Sequence, residues 1–145
     1  MILLQLILQS GDLGPKWFHV ALRAMVLLAR SENLLKSHYI AEIIGADPTF
    51  VRKILIQLSR TDLVVSHGGR YGGYALKQEP SKITVGDVYR VLGTTPPTPH
   101  WTVPSTGSEL FISLIISKAE EEFQSILDRY TIEDLVKQSH IRSND

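Results

Sequence analysis

Apolar residues recur at helical spacing in five separate stretches of the chain. In the first, Phe18, Ala21, Leu22, Met25, Leu28 and Ala29 share one side of Lys16 to Ala29, which predicts an amphipathic helix entered through Gly14-Pro15. The second, Ser37 to Gly45, reads as a short helix with Ser37 as its cap and Gly45 as its stop. Asp47-Pro48 then pairs a capping side chain with proline at the first helical position. From there Val51, Ile54, Leu55 and Leu58 follow the i, i+3, i+4, i+7 rule and predict one buried stripe. Two short helices joined by a glycine-containing turn outline a helix-turn-helix.

The pattern next changes from helical to extended. Leu63 to His67 is rich in β-branched residues, Gly68 to Gly73 is dominated by glycine, and Tyr74-Ala75-Leu76 is again extended. Two short strands about such a turn predict a β-hairpin, and a hairpin after a helix-turn-helix is the wing of a winged helix. Ile83 to Leu92 predicts a further helix with Thr84 as cap and Val85, Val88, Tyr89 and Leu92 on one face. After a breaker-rich stretch, Ser108 to Tyr130 predicts about six turns of helix. It places Leu110, Phe111, Leu114, Ile115, Ala119, Phe123, Ile126 and Leu127 near heptad spacing. Thr131 to Asp134 then reads as a cap and a short terminal helix.

The predicted fold is therefore mainly α with a small β-hairpin wing. Residues 1–93 form a winged helix-turn-helix, of which 1–15 are an N-terminal extension. Residues 94–107 form a Pro-rich linker, and 108–145 a helical dimerisation region. A length of 145 residues suits this single-domain plan with an appended element. Composition narrows the chemistry. The absence of cysteine rules out disulfides, thiolate metal sites and a cysteine nucleophile. No stretch has the roughly 18 apolar residues of a membrane span. The opening MILLQLIL lacks the basic start of a secretory signal, so a cytoplasmic location is expected.

The net charge is zero, but residues 1–93 carry eleven basic and seven acidic side chains and residues 94–145 carry four and eight. A basic module that meets a polyanion, followed by an acidic module with another task, produces such a division. The face opposite the buried stripe carries Thr49, Arg52, Lys53, Gln57 and Arg60, with no acid from Pro48 to Thr61. Those groups suit base edges and phosphates, the alternative being an ordinary solvated helix face. Arg70 and Tyr71 in the turn, with His67 before it, suit a wing laid on a groove or backbone, the alternative being a plain tight hairpin. Neither a Gly-x-Gly-x-x-Gly run nor a Walker lysine accompanies the glycines.

The five histidines show no metal-ligand spacing, so neither a metal nor a cofactor is expected. Glu120-Glu121-Glu122 point in different directions on a helix and read as a solvated face, and no catalytic constellation appears. His100-Trp101 stands out in the linker, either as part of an effector pocket or as a loop aromatic packed on the core. The wide stripe at Leu110, Phe111, Leu114, Ile115, Phe123 and Ile126 must pack on a twin or on its own domain. Three functions stay open on the residues alone: a dimeric DNA-binding regulator, a winged-helix module that binds a partner protein, and a small-molecule sensor built on the His100-Trp101 loop.

Several motifs together resemble one family. They are Ala21 to Met25; Ser37-x-x-Ile40-Ala41-Glu42; Phe50-Val51-x-Lys53-Ile54-Leu55-x-x-Leu58; Leu63-Val64-x-Ser66; Gly69-x-x-Gly72-Gly73-Tyr74-x-Leu76; and Ile83-Thr84-Val85-x-Asp87-Val88. In this order they are similar to the Rrf2 group of bacterial winged-helix regulators, which includes IscR, NsrR and CymR, over about residues 16–93. The resemblance implies a homodimer that binds pseudo-palindromic double-stranded DNA and represses or activates transcription, with repression the expected sense and an effector the sequence does not name. It puts Thr49, Phe50, Arg52 and Lys53 at base- and phosphate-reading positions and the wing from Gly69 to Tyr74, with Arg70 and Tyr71, at the minor groove; Ser37, Gln57, Arg60 and His67 complete the candidate DNA-binding set. Three departures stand out. The sensing members' three cysteines are missing from Thr94 to Ser108, which excludes a cluster bound by that motif. Gly68 replaces the usual basic residue before the wing, with Arg70 two positions later. Asp62 occupies the glycine position that closes the recognition helix, where it is expected to hold the turn by adopting the left-handed conformation.

Overall fold

The computed structural model describes residues 16–92 and 107–143. In chain order these form α1 (Lys16–Arg30), α2 (Ser37–Ile44), α3 (Pro48–Ser59), β1 (Val64–His67), β2 (Gly73–Leu76), a 3-10 turn at Pro80–Lys82, α4 (Val85–Leu92), α5 (Glu109–Leu127) and α6 (Ile132–Ser143). The central element is α1, against which α2, α3, α4, α6 and β2 all pack. Its Ala21, Ala24 and Met25 are fully buried, and the two alanines let neighbouring helices approach closely. The predicted stripe of α3 closes the same core: Val51, Ile54, Leu55 and Leu58 are all buried.

Helix boundaries follow local chemistry. Gly45 adopts φ 69°, the left-handed conformation that ends α2 and lets the next residue, Ala46, donate its N–H to the Ala41 carbonyl at 3.0 Å. Asp47 caps α3 by accepting a 3.0 Å hydrogen bond from the Phe50 N–H. The expectation that Ser37 caps α2 is corrected. The cap position is Lys36, which makes no side-chain cap bond, and Ser37 is already the first helical residue. The turn after α3 survives without the left-handed conformation expected of Asp62, since among the described residues only glycines have positive φ. Thr61 does the work instead: its hydroxyl donates to the Leu58 carbonyl at 2.6 Å and accepts from the Leu63 N–H at 3.2 Å. Asp62 stays exposed and pairs with Lys77 at 3.3 Å.

The wing is a two-stranded antiparallel hairpin in which Val64 faces Leu76 and His67 faces Gly73. A third piece of backbone widens it, because Leu35 and Tyr74 exchange N–H to carbonyl bonds of 3.0 and 2.8 Å. The hairpin is thereby tied to the entrance of α2, and β1 also packs against α3.

An elbow joins this winged helix-turn-helix to the last two helices. Thr84 and Asp87 exchange backbone-to-side-chain bonds of 3.0 and 2.9 Å, and Thr131 and Asp134 repeat the arrangement at 2.9 and 3.1 Å. Between the two caps, the Val85 N–H donates to the Tyr130 carbonyl at 2.8 Å and the Ile132 N–H to the Ile83 carbonyl at 2.9 Å. The expected Thr84 cap is in place, so α4 begins at Val85; Ile83, which the predicted span included, is extended and fully buried with Ile132. The terminal helix, expected to be short, runs for 12 residues because it packs along α1. The proline-rich linker, with His100 and Trp101, lies outside the described residues.

Side chains reinforce the elbow. Arg90 makes two bonds to the Asp128 carboxylate, 2.7 and 3.2 Å long, and a third to Asp87 at 3.0 Å. Thr84 donates to the same Asp128 at 3.1 Å. The Arg90 bonds foremost, with Thr84 in support, hold the Asp128 carboxyl below its ordinary range. A carboxylate depressed in the folded state contributes stability above its unfolded value, so the contribution is present at neutral pH and fades on acidification. Next to it, Trp17, Phe18, Tyr89 and Phe123 form a chain of ring contacts with centroids 5.2 to 6.0 Å apart. Burial, and then a 3.0 Å bond donated to Glu120, raises the Tyr89 hydroxyl above its usual range.

Gly86 leaves the space that Asp128 occupies, since a Cβ there would collide with the carboxylate. Asp128→Ala and Gly86→Ala should each cost on the order of 1 kcal/mol, the scale of a partly exposed ion-pair network. In the Asp128→Ala background, Gly86→Ala should become neutral or stabilising by up to about 1 kcal/mol, because alanine is the better helix former. Urea unfolding of the two single variants and the double variant measures this.

Candidate nucleic-acid interface

The surface of α3 follows from its core side. With four residues locked inward, Thr49, Arg52, Lys53, Gln57 and Arg60 are left exposed along the opposite face. None of them forms an ion pair within the described residues, and the flanking acids are engaged elsewhere, Asp47 at the helix start and Asp62 with Lys77. The face thus offers two guanidinium groups, one ammonium, an amide and a hydroxyl with their donors free. Phe50 differs from these. It is half-buried, packs against the core, and carries the Lys16 ammonium 5.9 Å above its ring.

The wing presents a second cationic element. His67, Arg70 and Tyr71 are all exposed, Tyr71 to 86%, and the Arg70 guanidinium lies 5.8 Å from the Tyr71 ring. The tip is folded tightly: the Gly72 N–H donates to the Gly69 carbonyl at 3.1 Å. Lys36 reaches across from the start of α2 to the same carbonyl at 3.5 Å, a long contact that sets the wing tip beside that helix. Ser37, the neighbour of Lys36, is half-buried at the first turn of α2.

The sequence reading omitted Lys16, Trp17 and Lys36. Trp17 shares a cleft of about 470 Å³ with Phe50, Lys53, Gln57, Arg60 and Leu92. The available signal was a basic residue immediately before or at the start of a helix, which occurs at both Lys16 and Lys36. On α5, the expected residues Leu110, Phe111, Leu114, Ile115, Phe123 and Ile126 are exposed, and so are Ile112 and Ile116, which heptad spacing did not select. No residue of α5 is buried, and Phe123 touches Tyr89 only edge-on at 5.2 Å.

A basic helix-turn-helix with a hairpin wing defines the winged-helix class. The Rrf2 family model, described as an iron-dependent transcriptional regulator, matches residues 16–138. The chain is 31% identical over 132 residues to the transcriptional regulator NsrR of Oceanobacillus iheyensis, covering 84% of this chain and 88% of that one. The fold is similar to IscR of T. potens, with a TM-score of 0.68, 26% identity and 90% of both chains covered. It is also similar to CymR, described as the global cysteine regulator of B. subtilis, with a TM-score of 0.65, 28% identity, and 86% of this chain and 96% of that one covered. The chain belongs to the Rrf2 family of transcriptional regulators, and its relatives are regulators, not enzymes. The family description names iron, but these 145 residues supply no thiolate. Among the described residues, no three histidine or carboxylate side chains converge as a ligand set. The residues present therefore do not fit a cysteine-ligated iron centre.

The wing tip depends on a residue without a side chain. A Cβ at Gly72 would strike the backbone carbonyls of His67 and Gly68, neither of which can yield without opening the turn. Gly72→Ala should therefore disorder the wing while the helical core stays folded. Amide hydrogen exchange should show protection lost across Val64 to Leu76 and kept in α1.

Proposed function

We propose that this chain is a homodimeric, sequence-specific DNA-binding regulator of transcription, acting as a repressor in the cytoplasm and without a cysteine-ligated iron–sulfur cluster. The observation that carries the reading is the acid-free, unpaired cationic face of α3, exposed beside a wing that carries Arg70. In this reading α3 lies in the major groove, where Arg52 and Gln57 meet base edges and Thr49, Lys53 and Arg60 hold the backbone. Ser37 and Phe50 border the same groove, while Arg70, Tyr71 and His67 follow the minor groove or its phosphates. Residues 1–93 are the reading head, 94–107 the linker and 108–145 the dimerisation region. Repression follows from occupancy, since a dimer seated on promoter duplex excludes other proteins from it.

The dimer rests on α5. Residues such as Leu110 at 75% and Phe111 at 67% exposure leave a helix that no other described element covers. Monomeric proteins rarely expose so much contiguous apolar surface. Among the described residues there is no helix long and apolar enough to cross a membrane, so a second α5 is the simplest cover. Two-fold pairing duplicates the reading face, as half-sites on DNA require.

Three phosphate-binding cations per subunit, Lys53, Arg60 and Arg70, give about six neutralised phosphates per dimer. Fluorescence anisotropy on the chain's own upstream promoter should then show affinity falling about 10³-fold between roughly 50 and 200 mM salt. Arg52→Ala should cost about 1–3 kcal/mol per half-site on that operator and much less on unrelated duplex. Equal binding to every sequence with or without Arg52 would contradict base reading. Absence of any salt-sensitive binding would favour the protein-partner alternative.

Leu114→Asp places a charge in each half of the symmetric contact. The loss of two buried leucines, about 3–6 kcal/mol, should convert the dimer to a monomer at micromolar concentration in sedimentation analysis.

A further inference from the structure

Away from the α3 and wing surfaces, a groove of about 850 Å³ runs along α1 between the end of α2 and the start of α6. Its floor is apolar: Leu22, Val26 and Leu27 of α1 and Leu135 of α6 are half-buried, and Ile43 of α2 is 53% exposed. Its basic side chains all come from one helix. His19, Arg23 and Arg30 lie at i, i+4 and i+11, so their backbone positions span roughly 16 Å along the groove, and the two arginines supply its charge. Among the described residues no acidic side chain lines it, and neither guanidinium has a side-chain hydrogen bond or an ion pair.

We propose that this groove is a binding site for an amphipathic organic anion, an apolar body carrying a carboxylate. The volume lies within the range of small-molecule sites, and the walls match both parts of such a ligand. Covering Leu22, Val26 and Ile43 removes apolar surface from water, and an unpaired guanidinium binds a carboxylate in a bidentate fork. A cationic ligand would be repelled by Arg23 and Arg30, and a neutral one would gain no charge-assisted bond from them. Neither α3 nor the wing contributes a wall, so the site can fill with the duplex bound or absent. Leu135 and Gln138 place α6 against the ligand, and α6 leads back through the Thr131 cap to the elbow that carries α5. A ligand here therefore bears on the helix that positions the reading heads, without using the linker.

The test uses the full chain without DNA, so it succeeds or fails independently of the DNA-binding reading. Decanoate is titrated while amide resonances are followed by NMR. The expected result is saturable shifts below about 1 mM, centred on Leu22 to Arg30, Ile43 and Leu135. They should weaken about tenfold or more in the Arg23→Gln/Arg30→Gln double variant, because charge-assisted hydrogen bonds are lost. Both arginines are exposed and unpaired, so that variant keeps the fold. Equal binding by decyltrimethylammonium, undiminished binding by the double variant, shifts confined to the apolar face of α5, or no saturable shift would each overturn the proposal.

Discussion

The structure turns on the burial of one stripe. Val51, Ile54, Leu55 and Leu58 anchor α3 in the core built around α1, and helical geometry then leaves the cationic side chains no orientation but outward. Burying these four side chains contributes roughly 1.5–3 kcal/mol each, far more than exposed arginines gain from any surface pairing. The exposed cationic face is thus a by-product of hydrophobic packing, held by a rigid helix and not by a loop. The wing shares that rigidity, because β1 rests on α3 and β2 is bonded through Tyr74 to Leu35.

The second constraint is the elbow. Two reciprocal caps, two backbone bonds and the Arg90–Asp128 pair fix the end of α5 against α4, whereas the rest of α5 stands clear of the head with no buried residue. A helix anchored at one end and apolar along its free length is suited to transmit position: any shift at the elbow moves the apolar face that a second copy would cover. The groove beside α6 adjoins this same elbow. In a chain with no cysteine, a route from groove to elbow offers signal input that does not require a metal cluster.

Most of the reading head was legible in the sequence because its signals are local. Asp47-Pro48, Gly45, the α3 stripe and the glycine-rich turn each act through immediate neighbours, and each has the predicted role. The misses have longer range. Ile83 looks helical until its pairing with Ile132, 49 residues away, is known. The length of α6 depends on α1, not on its own weak pattern. Ser37 resembles a cap, but the chain enters α2 one residue earlier. Asp62 looked like a left-handed stop, although Thr61 supplies the hydrogen bonds without it. For the surface, residue type on α3 and the wing foretold exposure, while the cleft at Trp17 and the groove at Arg23 and Arg30 require three elements in place and leave no linear motif.

The absence of cysteine permits the most direct test of the central claim, that the polar face of α3 sits in the groove of DNA. An iron–EDTA cleavage reagent can be tethered to a single thiol introduced by Gln57→Cys. Two cleavage centres about one helical turn, roughly 34 Å, apart on the operator are the predicted result for a two-fold pair of recognition helices. Diffuse cleavage from Gln57→Cys, or focused cleavage only from a thiol introduced on the far side by Ile43→Cys, would contradict the account.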